Sequence, residues 1–147
     1  MPTVETTVLI NAPIDRVYAV AKDNSSFPEF MNDVKSLTVL ENDGKRCVSD
    51  WVGIVPTFGL KVRWKQEDIW DDEQKICKFV QLEGDYDKLD GVWTFTEEAG
   101  GTRFHSVVNY EYNVPGLGAL IGKVIHSIVI KNMDGVLGAI KDRVENQ

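Results

Sequence analysis

The stretch that decides the fold is Leu117–Glu145, LGALIGKVIHSIVIKNMDGVLGAIKDRVE. Its apolar residues fall at Leu120, Ile121, Val124, Ile125, Ile128, Val129, Met133, Val136, Leu137, Ile140 and Val144. That is the three-and-four spacing of one buried stripe on a helix. A continuous helix over this stretch is roughly 43 Å long, at ~1.5 Å per residue. A helix of that length needs an equally long surface to lie on. The chain before it can supply one only as a curved antiparallel sheet, and the space between sheet and helix is where a function is to be sought.

Working backwards, the apolar period changes to two. Val4–Ile10, Val34–Glu41, Arg46–Val55, Leu60–Trp70, Lys75–Glu83, Leu89–Thr96 and Thr102–Val114 read as strands. Asn42-Asp43-Gly44-Lys45 is a hairpin turn, because Asp-Gly tolerates positive φ. In Leu60–Trp70, Val62, Trp64, Gln66 and Trp70 share one face, with Lys61, Arg63, Lys65 and Glu67 on the other. In the last strand Phe104, Ser106, Val108, Tyr110 and Tyr112 alternate with Arg103, His105, Asn109 and Glu111. One face is therefore buried and the other wet. Between the first two strands, Pro13 and Asp15 suit the start of a helix carrying Ile14, Val17, Tyr18 and Ala21. A second short helical piece holds Phe27-Pro28-Glu29-Phe30-Met31. The predicted class is α+β: a curved seven-stranded antiparallel sheet wrapped around a long C-terminal helix, with two short helices between strands 1 and 2. Residues 1–147 are expected to form a single domain.

Composition excludes several classes of function. A net charge of -7 argues against a nucleic-acid surface and against docking on anionic lipid. No leader sequence or membrane span is expected, so the predicted location is cytoplasmic. Cys47 and Cys77 lack metal-ligand spacing and read as reduced, buried thiols. His105 and His126 form no cluster, so no metal and no cofactor are expected. Asp85, Asp87 and Asp90 have the wrong spacing for a calcium loop. Gly116–Gly122 misses the dinucleotide fingerprint by one residue and follows no βαβ pattern.

The motifs, taken in order, are Ile10-Asn11-Ala12-Pro13 with Val17-Tyr18, Phe27–Met31, Trp64 with Glu67-Asp68, Glu83-Gly84-Asp85, Gly91–Phe95 and Gly101-Thr102. In this order and spacing the chain resembles the START-like helix-grip superfamily, also called the polyketide cyclase/dehydrase superfamily. Within it the chain looks like the coenzyme-Q-binding and ribosome-association-toxin-like proteins, with the aromatase/cyclases close behind. The resemblance implies an apolar ligand held between sheet and C-terminal helix, such as a quinone, a lipid or a polyketide-like molecule. It also implies, as alternatives, a cyclase/dehydratase or a toxin-like interaction module. Cyclases of the family carry an arginine just after the equivalent of Trp64, where this chain has Lys65.

A ligand cavity of that kind is mainly apolar with few polar groups. The inward face of the sheet would contribute Trp51, Trp64, Gln66, Trp93, Phe95, Ser106, Val108 and Tyr110. The helix would contribute Ile121, Ile125, Ile128 and Asn132. Asn132 interrupts the apolar stripe, and a buried amide must find a partner, either in the protein or on a ligand. The same two readings apply to Gln66, Ser106 and Tyr110. No catalytic pair stands out; Tyr110, Asp68 and Asn132 are the only participants an acid–base mechanism could draw on. The glycines Gly116, Gly118, Gly122, Gly135 and Gly138 reflect either close helix–sheet approach or a helix whose ends yield to a ligand. The loop Gly53–Gly59 is a pocket mouth, a weak membrane contact or a packed segment. The expected partner is a lipophilic small molecule, without nucleic acid or stable membrane insertion, and the chain is expected to be a monomer or weak homodimer.

Overall fold

The computed structural model describes residues 2–32, 34–55, 60–112 and 118–146; side chains at 55, 60 and 118–121 are not described. The elements are β1 (Thr3–Ile10), α1 (Ile14–Lys22), a 3-10 turn (Asn24–Ser26), α2 (Phe27–Phe30), β2 (Val34–Asn42), β3 (Arg46–Val55), β4 (Leu60–Asp71), β5 (Ile76–Gly84), β6 (Lys88–Glu98), β7 (Gly101–Glu111) and α3 (Gly118–Glu145). The strands form one sheet in the order β1-β7-β6-β5-β4-β3-β2. Six of them follow one another as a meander, and β1 closes onto β7 in antiparallel register from Thr3↔Asn109 to Ile10↔Thr102. This is the helix-grip architecture expected from the stripe and the period-two segments.

The differences from the expected boundaries have local causes. Lys75 has φ 57° and so belongs to the turn, which starts β5 one residue late. β6 is longer than Leu89–Thr96 because its pairing with β7 runs from Lys88↔Glu111 to Glu98↔Gly101. The end of the last predicted strand, 113–114, and most of the predicted loop Gly53–Gly59 lie outside the described residues. The β2–β3 hairpin follows the expected chemistry. Gly44 has φ 92°, Asn42 accepts from its N–H, and the Asp43 carboxylate accepts from the N–H groups of Lys45 and Arg46.

Register shifts bend the sheet. Ser36 and Glu41 resume the β2–β3 pairing after one extra β2 residue each, Lys35 and Leu40. Leu82 is likewise extra in β5 against Lys65 and Gln66 of β4. Such bulges increase local twist and curve the strand that carries them.

One end of the resulting trough is filled. Leu137, Ile140 and Val144 of α3 pack into a core with Ile10, Val17, Ala21 and Phe104, all at 0–1% exposure. Polar bonds pin the same end of the helix. Arg16 Nη2 donates to the Val144 carbonyl (2.6 Å), the Asn11 N–H to Glu145 (2.8 Å) and Lys141 Nζ to the Leu9 carbonyl (2.7 Å). Helix α1 caps this end by setting the Tyr18 ring edge-on to Trp70 and Phe95, each at 5.4 Å.

Candidate functional site

Beyond Leu137, towards the helix N-terminus, sheet and helix separate around a cavity of about 100 Å³. Its sheet wall is aromatic. Trp51 and Trp64 are cross-strand partners on β3 and β4, and their rings stack at 5.5 Å with 14° between planes. Trp93 on β6 meets Phe79 on β5 edge-on at 6.0 Å. Gly91 makes this possible, because a Cβ there would run into the Phe79 ring and the Val107 carbonyl. Phe27 of α2 closes one side, edge-on to Trp51 at 5.9 Å. Tyr86 closes another against Trp64 at 5.7 Å. Helix α3 contributes Val129, Asn132, Met133 and Val136, one face of two helical turns.

A connected set of polar groups crosses this aromatic wall. Trp64, Gln66 and Asp68 alternate inward along β4, as strand geometry requires. Trp64 Nε1 donates to Gln66 Oε1 (2.9 Å), and Gln66 Nε2 donates to Asp68 Oδ1 (2.7 Å). Asn24, from the 3-10 turn, donates to Asp68 Oδ2 (3.3 Å) and weakly to Cys47 Sγ (3.9 Å). Asp68 is only 3% exposed. Burial dominates its titration and lifts its pKa to about 6, against the opposing pull of the Gln66 and Asn24 hydrogen bonds. Burial also pushes the Cys47 and Cys77 thiols up, which leaves them as unreactive neutral groups near physiological pH.

Of the residues singled out in the sequence, Trp51, Trp64, Gln66, Trp93, Val108 and Asn132 line the cavity together with Asp68. The Asn132 amide makes no hydrogen bond among the described residues. Gln66 is held within the protein, by Trp64 and Asp68. The others are not among the lining residues. Phe95 stacks on Phe104 at 4.5 Å and belongs to the filled end. Ser106 is fully buried opposite Trp93 in the β6–β7 pairing, and its hydroxyl has no partner among the described residues. Tyr110 bonds His126 Nδ1 at 2.8 Å, with the two rings stacked. Tyr110 belongs to a second cluster with Val4, Val129 and Ile125, which adjoins the cavity through Val129 and Tyr86, but it is not itself a lining residue. Ile125 and Ile128 lie one turn before Val129 and Asn132 along α3 and are not among the lining residues. The Ile121 side chain lies outside the described residues.

Residues missed in the sequence include Asn24, Phe27, Cys77, Phe79, Tyr86 and Leu89. Strand parity with Trp93 and Trp70 could have found Cys77 and Phe79, and the helical stripe already held Val129, Met133 and Val136. Nothing local marks Asn24 or Tyr86, which come from turns. At two of the five glycines named for the helix, the close-approach alternative does not hold. Added methyl groups at Gly122 and Gly138 would meet nothing within 4 Å, so close approach to the sheet does not explain them. Among the described residues no three His, Cys, Asp or Glu side chains are placed to hold a metal, and no helix is long and apolar enough to cross a membrane.

Comparison with known proteins agrees with this architecture. The crystal structure of TTHA0849 from Thermus thermophilus superposes with a TM-score of 0.93 at 36% identity, covering 99% of this chain and 98% of that one. The Zhui aromatase/cyclase from Streptomyces sp. R1128 shares the fold at a TM-score of 0.86 and 18% identity, over 99% of this chain and 94% of that one. A putative polyketide cyclase from Streptomyces cyaneus is 25% identical over 143 residues, 96% of this chain and 92% of its own length. The family model for polyketide cyclase/dehydrase and lipid transport matches residues 10–136, and the chain belongs to that family.

Proposed function

We propose that this chain binds and carries a lipophilic small molecule, held by its ring or head group in the cavity under α3. The observation that carries this reading is the lining. Stacked and edge-on aromatic rings surround an unfilled space, with only a few polar groups set among them, which is the composition of a small-molecule site rather than of a closed core. Isoprenoid quinones, other lipids and polyketide-like molecules are the candidate classes, in keeping with the family and with its coenzyme-Q-binding branch. The volume suits the head of such a molecule more than the whole of a long one. Native mass spectrometry of the purified protein, with organic extraction of whatever it retains, tests this. A retained lipophilic species that displaces on denaturation is the expected result; a protein that takes up no apolar probe at any concentration overturns it.

A second reading, cyclase or dehydratase, is favoured by one observation. The Asp68 carboxyl sits in the cavity with its pKa lifted to about 6, close to the range in which a carboxyl can both accept and return a proton. Asn132 faces the same space and could orient a carbonyl. If Asp68→Asn leaves turnover of a polyketide-like substrate unchanged, this reading is wrong.

A further inference from the structure

We propose that Asp68 determines the specificity of the cavity: it accepts a hydrogen bond from a hydroxyl on the ligand's ring or head and excludes ligands whose head is a carboxylate. This rests on the reading that the cavity holds a ligand. The Asp68 oxygens each take one donor from the protein, Gln66 Nε2 at 2.7 Å and Asn24 Nδ2 at 3.3 Å. A carboxylate has about four acceptor sites, so capacity is left on a group that itself borders the cavity. Both protein donors are neutral amides, and no lysine or arginine is among the described residues lining the space. The carboxylate is therefore buried without a counter-charge, the situation in which one further donor is most valuable and a second anion most costly.

The titratable groups around Asp68 do not change this balance. On β3 the Cys47 thiol is opposite it, and on β5 lies the Cys77 thiol, both kept neutral by burial. Tyr86 is likewise held neutral, pushed up to about 12 mainly by burial. Glu67, on the other face of β4, pairs with Arg46 at 2.7 Å, and Lys22 of α1 is paired with Asp72 at 2.9 Å. The described α3 lining residues, Val129, Asn132, Met133 and Val136, carry no charge. The aromatic walls bind any flat apolar body, and Asp68 decides which head may accompany it. When Asp68 takes up a proton it becomes a donor, and the bar against an anionic head is lifted.

Calorimetric titration of the full chain with naphthalene, 2-naphthol and 2-naphthoate, at about pH 7.5 and about pH 5, tests the proposal. Near pH 7.5, 2-naphthol should bind about tenfold or more tighter than naphthalene, the usual yield of a hydrogen bond to a charged acceptor. 2-Naphthoate should bind weaker than naphthalene by a similar factor. Near pH 5 the gap between naphthol and naphthoate should shrink about tenfold, a readout that needs no variant. In Asp68→Asn the gap should collapse and lose its pH dependence. Binding of naphthalene with no discrimination between the two heads near pH 7.5, or a gap unchanged in Asp68→Asn, overturns the role of Asp68 and leaves the cavity reading standing. Failure of all three probes to bind overturns the cavity reading and this one with it.

Discussion

The two halves of α3 meet the same sheet on different terms. From Leu137 to Val144 the inward residues have no exposure, and three polar bonds tie the helix to β1, α1 and the turn between them. From Val129 to Val136 the inward residues border a cavity instead. The apolar spacing is the same in both halves, so the stripe does not distinguish them. The sheet does. At the filled end Phe95 and Phe104 stack, and α1 adds a layer that rises to the helix. In the middle, large rings stack on one another across β3 and β4 rather than reach for α3. A buried stripe therefore says which way a helix faces, not how completely its partner fills the gap.

The largest expected effect separates the two halves directly. Leu137→Ala should cost about 3 kcal/mol or more by urea denaturation, since it empties a closed core. Met133→Ala should cost about 1 kcal/mol or less, since that side chain already borders open space. Equal losses at the two positions would mean that the helix is packed alike along its length. The next effect concerns the polar set in the cavity wall. The folded pKa of Asp68, about 6, lies above its ordinary 3.8, so the folded state holds the proton longer than the unfolded chain. Stability should therefore fall as pH rises through the window between those values and stay at the lower level above it. Asp68→Asn removes that loss. Its stability relative to the natural protein should rise from about pH 4 to about pH 7 by up to ~3 kcal/mol, and a flat difference would show that Asp68 is solvated. The smallest effect is again a gain. Gly122→Ala should stabilise the chain by about 0.5–1 kcal/mol, because helix propensity improves and the new methyl meets nothing. A loss in thermal melting would restore the idea that this helix must approach something closely.

Much of the fold was legible in the sequence because it depends on periodicity. Seven period-two runs separated by turn residues, then one long stripe, leave few arrangements other than a meander gripping a helix. The site was legible in part. Trp51, Trp64, Gln66, Trp93, Val108 and Asn132 were reached by parity and by the break in the stripe. Phe95, Ser106 and Tyr110 share that parity yet are not among the lining residues, because parity assigns a face and not a position along the trough. Asn24 and Tyr86 carry no periodic signal; they enter from turns that tertiary packing folds over the open side. Asp68 was visible as an inward-parity acid on β4, but its elevated pKa comes from burial that the whole fold supplies, against the pull of the Gln66 and Asn24 hydrogen bonds.

What the sequence determined by itself was local: the alternation of the strands, the single apolar face of α3, the Asn-Asp-Gly hairpin and the family motifs. Each follows from backbone geometry acting over a few residues. What only the tertiary structure decided was where the trough is full and where it is empty, and which polar side chains meet in the wall. Those depend on bulges that curve the sheet and on contacts between residues far apart in the chain, such as Asn24 with Asp68 and Phe27 with Trp51. Volume and burial are sums over the whole fold, so no short stretch of sequence contains them.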